Sequence, residues 1–211
     1  MRLMAVILSL VCALSIAAQT TPWETLEKGN KDFQGDSISF DNLIKLRDDH
    51  KDSQEPPVTV LSCSDSRVPP ELVFHQNLGE IFLVRSAGNV TDTDGIASIE
   101  YALEHNWTKL LVVLAHEKCG AVEAAIKPGT PKSPNLAALV NQIRRSFRGS
   151  CADDKDGCWT LRTKQNAIYT VRDLRRRSRI IRRAMDLHKI SVVVGYYELE
   201  SGKVVVWKMI K

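Results

Sequence analysis

Beyond its first eighteen residues the sequence has no apolar run long enough to cross a bilayer, which takes about 20 predominantly apolar residues in a helix, so no membrane partner is expected once those residues are removed. It has no internal repeat, which excludes solenoids and propellers. It lacks the length for two comfortable domains, because 211 residues at 44% hydrophobic composition suit one well-buried core. It also lacks a strong charge imbalance. Charged residues make up 26%, the net charge is +4, and much of the excess lies in one stretch.

The first eighteen residues have a different character. Arg2 supplies a positive start, Leu3 to Ile16 is almost unbroken apolar sequence, and Ser15, Ala17 and Ala18 are small residues suited to a signal-peptidase site. This predicts a secretory signal peptide over residues 1–18, cut after Ala17 or Ala18, and a periplasmic or secreted domain over 19–211. Cys12 follows Val11, where a lipoprotein site wants a small residue. The cysteines left after cleavage are Cys63, Cys119, Cys151 and Cys158, and an oxidising compartment demands an explanation for each.

Thr21, Pro22 and Glu24 read as a helix start with a capping box, and Trp23, Leu26 and Phe33 then fall near one face. Asp41 is a candidate cap for a short helix through about Asp49. Val58–Leu61, Ile81–Val84, Leu110–Ala115 and Ile190–Val194 are short runs, continuously apolar or nearly so, as in strands buried on both faces of a parallel sheet. Helix-like stretches lie between them at Gly95–His105, Gly120–Ile126 and Leu136–Phe147, the last with Leu136, Leu139, Val140 and Ile143 on one face. The expected class is α/β, a single domain with a mostly parallel central sheet flanked by helices, and Val204–Trp207 adds an edge strand. Gly149–Gly157 is polar and turn-rich and reads as a surface loop.

Two segments carry the chemistry. Cys63-Ser64-Asp65-Ser66-Arg67 follows the first apolar run, and His116-Glu117-Lys118-Cys119-Gly120 follows the third. Both leave the C-terminal ends of buried strands, the edge at which open α/β sheets bind ligands. Two thiolates and an imidazole suit zinc, sulfur disfavours magnesium and calcium, and three protein ligands leave the open position of a catalytic site. A Cys63–Cys119 disulfide is the rival, but it gives His116, Asp65 and Arg67 no role. Buried free cysteines beside a satisfied histidine are the other alternative.

With these residues in view the sequence resembles the bacterial β-carbonic anhydrases over nearly the whole mature chain. The matching pieces are Gly29–Phe33, Cys63–Pro69, Val84–Asn89, Ser98–Ala102, His116–Val122 and Val194–Tyr197. The resemblance implies reversible hydration of CO2 to bicarbonate by zinc-bound hydroxide, with one Zn2+ per chain on Cys63, His116 and Cys119. It implies that Asp65 accepts a hydrogen bond from the zinc-bound water or swings in as a fourth ligand, that Arg67 holds Asp65 off the metal, and that Gln54 hydrogen-bonds substrate. It implies a homodimer or homotetramer, with the helix from Trp23 packing on the neighbour. Val60 is a departure, since some bacterial members carry tryptophan there in a bicarbonate pocket that favours the closed form. A CS2 or COS hydrolase and a non-catalytic zinc scaffold are the alternative readings.

Cys151 and Cys158 are expected to pair, because export favours a disulfide and an eight-residue loop contributes about 2.5 kcal/mol by chain entropy. A second metal site using the intervening aspartates is the rival. Arg172–Arg183 holds seven arginines, but Val171, Leu174, Ser178, Ile181 and Met185 recur at helical spacing among them. This reads as one amphipathic helix with a solvated basic side, with no nucleic-acid partner expected; an anionic surface contact is the alternative use. Asn89 and Asn106 head glycosylation acceptor patterns. His50, His75, His105 and His188 are candidate proton shuttles.

Overall fold

The computed structural model describes residues 20–151 and 155–210. The expected signal peptide lies outside the described residues. The chain opens with α1 (Pro22–Gln34) and α2 (Leu43–His50), then alternates β1 (Val58–Ser62), α3 (Pro70–Val73), β2 (Ile81–Arg85), α4 (Thr93–Glu104), β3 (Leu110–His116), α5 (Gly120–Ile126) and α6 (Pro134–Arg144). It ends with α7 (Lys155–Arg177), α8 (Arg179–Asp186), β4 (Ser191–Tyr197) and β5 (Val204–Ile210). No helix among the described residues is long and apolar enough to cross a membrane.

All four apolar runs are strands, in the order β2-β1-β3-β4, mutually parallel, and β5 closes one edge antiparallel to β4. Every residue of β1 and β3 is buried, as expected for strands covered on both faces. One core layer joins Leu111, Val113, Val171, Leu174 and Ile181, and the opposite layer joins Leu26, Val60, Phe74, Val112 and Leu114. After β1 the chain moves outward to β2 and then crosses back to β3 on the other side of β1. That reversal opens a crevice at the C-terminal ends of β1 and β3, where Cys63 and His116 stand.

The helix starts follow their caps. Thr21 and Glu24 form the expected capping box. The cap of α2 is Asn42, not Asp41: its side-chain oxygen accepts from the amides of Ile44 and Lys45, two orphan donors that Asp41, one residue earlier, does not meet. Ser133 caps α6, which ends at Arg144, before the expected Phe147, and Leu136 faces outward, so only Val140 and Ile143 of its expected face are buried.

Two further expectations are corrected. The basic stretch is two helices, because Ser178 takes an extended conformation, caps α8 by accepting from the Ile181 amide, and donates its hydroxyl to Glu100. The apolar spacing runs through this break, which is why the sequence reads as continuous. The loop expected over residues 149–157 is partly helix, since α7 has begun by Lys155 with Asp156 in its first turn, where the helix dipole favours an acid. Within the chain, the helix from Trp23 packs through Leu26, which is in the core, and Trp23, which is edge-on to Phe74, while Glu24, Glu27, Lys28 and Lys31 remain exposed.

Candidate metal centre

Cys63 is the first residue beyond β1, and His116 is the last residue of β3. The turn after β3 carries Lys118 in the left-handed region at φ 50°, which swings Cys119 back to the same crevice before α5 begins. Cys63, His116 and Cys119 are all buried, and their ligand atoms lie within 4.8 Å of one another.

Cys63 Sγ and Cys119 Sγ are 3.9 Å apart and both cysteines are free. A disulfide requires about 2.05 Å, so the rival pairing is excluded. A tetrahedral zinc with bonds of about 2.3 Å to sulfur spans roughly 3.8 Å between two thiolates, and the observed separation fits that edge. His116 Nδ1 lies 2.8 Å from the Glu117 carbonyl, which only accepts, so Nδ1 carries the proton. Nε2 is then a bare lone pair, fully buried and without a hydrogen-bond partner. A buried acceptor left unpaired costs about 1–3 kcal/mol, and a metal ion between it and the two sulfurs removes that cost.

The electrostatics favour a cation. The Cys63 thiol is held down to about 4, first by its hydrogen bond with Cys119, then by His116 and by the Gly88 amide 3.2 Å from its sulfur, all acting against burial. Cys119 is pushed up by that same hydrogen bond to Cys63, by burial and by the Cys63 charge. The shifts oppose each other because the pair shares one proton. A dication held by these residues would displace it and be met by two thiolates.

Asp65 is turned toward Arg67. Arg67 Nε donates to Oδ1 at 2.9 Å, its Nη2 to Oδ2 at 2.8 Å, and its own amide to Oδ1 at 3.0 Å. This bidentate pairing is geometrically fixed and holds the Asp65 pKa down to about 2, with Arg67 as the main cause. Asp65 Oδ2 lies 3.8 Å from His116 Nε2, so the carboxylate stands beside the ligands.

The other candidate residues fall elsewhere. Gln54 precedes β1, at the end opposite to Cys63, in a groove with His50, Leu78, Tyr101 and Trp107. Five residues of strand separate the two ends, roughly 16 Å at the usual rise. Val60 is buried in the core. His75 contacts Ser39 and Asp32, His105 meets the Tyr101 carbonyl, and His188 is exposed beyond α8. Asn89 is buried in its folded position, closed to a glycan, whereas Asn106 is exposed. The arginines of the basic stretch are solvated, and several meet carboxylates, Arg175 on Asp186 and Arg176 and Arg177 on Asp173. Cys151 and Cys158 form a disulfide.

Four supporting residues went unassigned from sequence. Arg85 donates to the carbonyls of Cys63, Asp65 and Val68 and so pins the loop that carries Asp65. Gly88, at φ 69°, turns its amide onto the Cys63 sulfur, and a side chain there would meet Ile143 at 2.8 Å. Both lie within the Val84–Asn89 segment, so a signal existed. Trp159 Nε1 donates to the Cys119 carbonyl at 3.0 Å, and Asn166 Nδ2 donates to the Gly88 carbonyl at 2.7 Å. Both stand on α7, and no local pattern marks them.

Comparison with known proteins agrees with this geometry. A family model described as carbonic anhydrase matches residues 58–204. Carbonic anhydrase 2 of Mycobacterium tuberculosis is 33% identical over 193 residues, covering 87% of this chain and 90% of its own. In fold the chain is similar to the Coccomyxa β-carbonic anhydrase solved with acetazolamide, at TM-score 0.70 and 24% identity over 79% of each chain. It is also similar to the tetrameric β-carbonic anhydrases of Sordaria macrospora, at TM-score 0.67 and 21% identity, covering 85% of this chain and 90% of the other.

Proposed function

The chain belongs to the carbonic anhydrase family, and we propose that Cys63, His116 and Cys119 hold the zinc ion on which it hydrates CO2 reversibly to bicarbonate and a proton. Bound there, zinc lowers the pKa of a water toward neutrality and so supplies a nucleophile for CO2. One observation carries the assignment: a buried, unpartnered imidazole nitrogen beside two free thiols at the spacing of a tetrahedral edge.

The chain's own groups do the rest. Asp65 accepts a hydrogen bond from the reacting water and orients it toward CO2. Arg67 positions Asp65 by holding both of its oxygens, which also keeps the carboxylate from becoming a fourth ligand. Gln54 hydrogen-bonds substrate, and since it stands at the far end of β1 from its own chain's crevice, it does so in the crevice of a second copy on this reading. A homodimer or homotetramer follows. Supporting it, Leu43, Ile44 and Leu78 are 59%, 66% and 50% exposed, α2 buries none of its residues, and the Sordaria relatives are tetrameric. The chain is of the bacterial, exported kind, periplasmic or secreted, on the signal pattern of residues 1–18 and the Cys151–Cys158 disulfide.

The test is CO2 hydration by stopped flow on protein of measured zinc content. Turnover that scales with zinc and vanishes in Cys63→Ser supports the assignment; turnover independent of zinc would refute it.

A further inference from the structure

The zinc ligands come from two turns that are not bonded to each other by the sheet. Cys63 leaves β1 against the left-handed turn at Gly88, and Cys119 leaves β3 at the start of α5. One element, α7, touches the Cys119 turn and the Gly88 turn through side chains. Trp159 of α7 donates its indole N–H to the Cys119 carbonyl at 3.0 Å, and Asn166, seven residues on and so on the same face, donates to the Gly88 carbonyl at 2.7 Å. Asn166 is fully buried, and Trp159 packs against the apolar cluster of Cys63, Cys119, Val122 and Val140. Trp159 directly follows Cys158, which the disulfide ties to Cys151 at the head of α7.

We propose that Trp159 and Asn166 are positioning residues that hold the Cys119 turn and the Gly88 turn, whose amide meets the Cys63 sulfur, so that the two thiols keep zinc-binding separation, and that the Cys151–Cys158 disulfide fastens the end of α7 that carries Trp159. The physics is that of an outer-shell contact. A hydrogen bond to the Cys119 carbonyl fixes its peptide plane, and with it the direction of the Cα–Cβ bond that aims Sγ. The carbonyl also accepts from the Glu123 amide as α5 begins, so the peptide is held by two donors at once. Without the indole donor the peptide can rock about the helix start. A frayed head of α7 would withdraw the indole in the same way, because a helix end is its least stable part. Loss of an outer-shell partner changes metal affinity by about 10- to 100-fold.

This inference rests on the zinc assignment, and the test separates the two. Wild type, Trp159→Phe and the double variant Cys151→Ser/Cys158→Ser are loaded with zinc, and transfer to a chromogenic chelator is timed. The same proteins loaded with cobalt report ligand geometry by visible absorption, and thermal unfolding of the metal-free forms reports packing. Phenylalanine keeps an aromatic ring in the apolar cluster but loses the donor together with part of the indole, so the metal-free unfolding midpoint reports the lost packing and the cobalt spectrum reports the ligand geometry. Trp159→Phe is expected to release zinc about 10-fold faster and to shift the cobalt bands, with the metal-free unfolding midpoint lowered by the lost packing but the protein still folded. The disulfide variant is expected to release zinc faster too, and the triple variant no faster than Trp159→Phe, since both changes act through one contact. A wild type that holds zinc beside a Trp159→Phe variant with unchanged release and spectrum overturns the inference alone. Faster release in the disulfide variant that adds fully to Trp159→Phe overturns the link between disulfide and indole. A wild type that takes up no zinc overturns the metal assignment and this inference together.

Discussion

Asp65 and Arg67 meet through two parallel hydrogen bonds and a third from the backbone. A lysine at position 67 keeps the charge but presents a point donor where a planar fork is needed. Arg67→Lys is therefore expected to lower kcat at least about 10-fold, with zinc content unchanged, because it frees the carboxylate to rotate toward the metal. Equal kcat in the two proteins would show that the pairing does not position the reacting water. The same contact sets a pH dependence. The Asp65 pKa is lowered to about 2 from 3.8, so the fold keeps the group ionised where the unfolded chain takes up a proton, and the stability it lends is present above its ordinary value and is lost as the pH falls from 3.8 through about 2. In Arg67→Gln the Asp65 resonance is expected to titrate at higher pH than in wild type, read by carboxyl carbon chemical shift; an unchanged midpoint would mean that Arg67 is not the cause.

Legibility at this scale followed chemistry. Cys63, His116 and Cys119 could be picked out because soft ligands at strand ends form a set, and the structure brings these three together. Trp159 and Asn166 could not, and Arg85, although it falls in the Val84–Asn89 segment, shows nothing of its role, since an arginine donating to carbonyls looks in sequence like any other arginine. What they bond to is backbone, and backbone leaves no residue-type signature.

Elements were readable where burial was two-sided and hidden where a polar contact broke the pattern. The four parallel strands announce themselves as apolar runs. The break at Ser178 does not, because the serine sits on the apolar stripe and is itself buried. Most of α7 went unread for the same reason: Thr163, Asn166, Thr170 and Asp173 form a buried polar stripe, which reads in sequence as a solvated face. Close approach between elements also leaves only faint marks. Gly29 lies in the middle of α1, where a Cβ would stand 1.8 Å from the Phe74 carbonyl oxygen. Alanine gains about 1 kcal/mol of helix propensity, but the overlap forces α1 away from α3 at a cost of about 3 kcal/mol or more. Gly29→Ala is expected to lower stability by about 2 kcal/mol net, measured by denaturant unfolding, and a stabilised variant would contradict this packing. Next to it, Asn30 donates to the Val73 and Gly202 carbonyls and accepts from the Val204 amide. Asn30→Ala strands those three groups and should cost about 2–4 kcal/mol; a loss under 0.5 kcal/mol, roughly that of a surface site, would show that water takes over the bonds.

For the whole molecule the arrangement follows from one reversal of strand order. Because β1 lies between β2 and β3, the chain ends of β1 and β3 diverge and leave a crevice, and both cysteine-bearing turns open into it. The sheet order was not readable from the apolar runs, which give strands but not neighbours. The proposed assembly is tested at the same scale. Leu43→Asp with Ile44→Asp places two charges on the exposed face of α2, where no residue is buried in the single chain. Light scattering is expected to show a smaller assembly with each chain still folded and zinc-loaded, and activity should fall because Gln54 no longer reaches a neighbouring crevice. An assembly of unchanged mass would place the interface elsewhere.

The most direct test of the central claim is zinc-dependent CO2 hydration by the mature protein, followed by stopped flow near pH 8.5 alongside zinc analysis. Two thiolates offset the charge of the metal and leave its water less acidic than three neutral imidazoles would, so turnover should rise through the alkaline side of neutral. The expected result is one zinc per chain and rapid turnover that chelation abolishes and zinc restores. Fully zinc-loaded protein with no turnover would contradict the account.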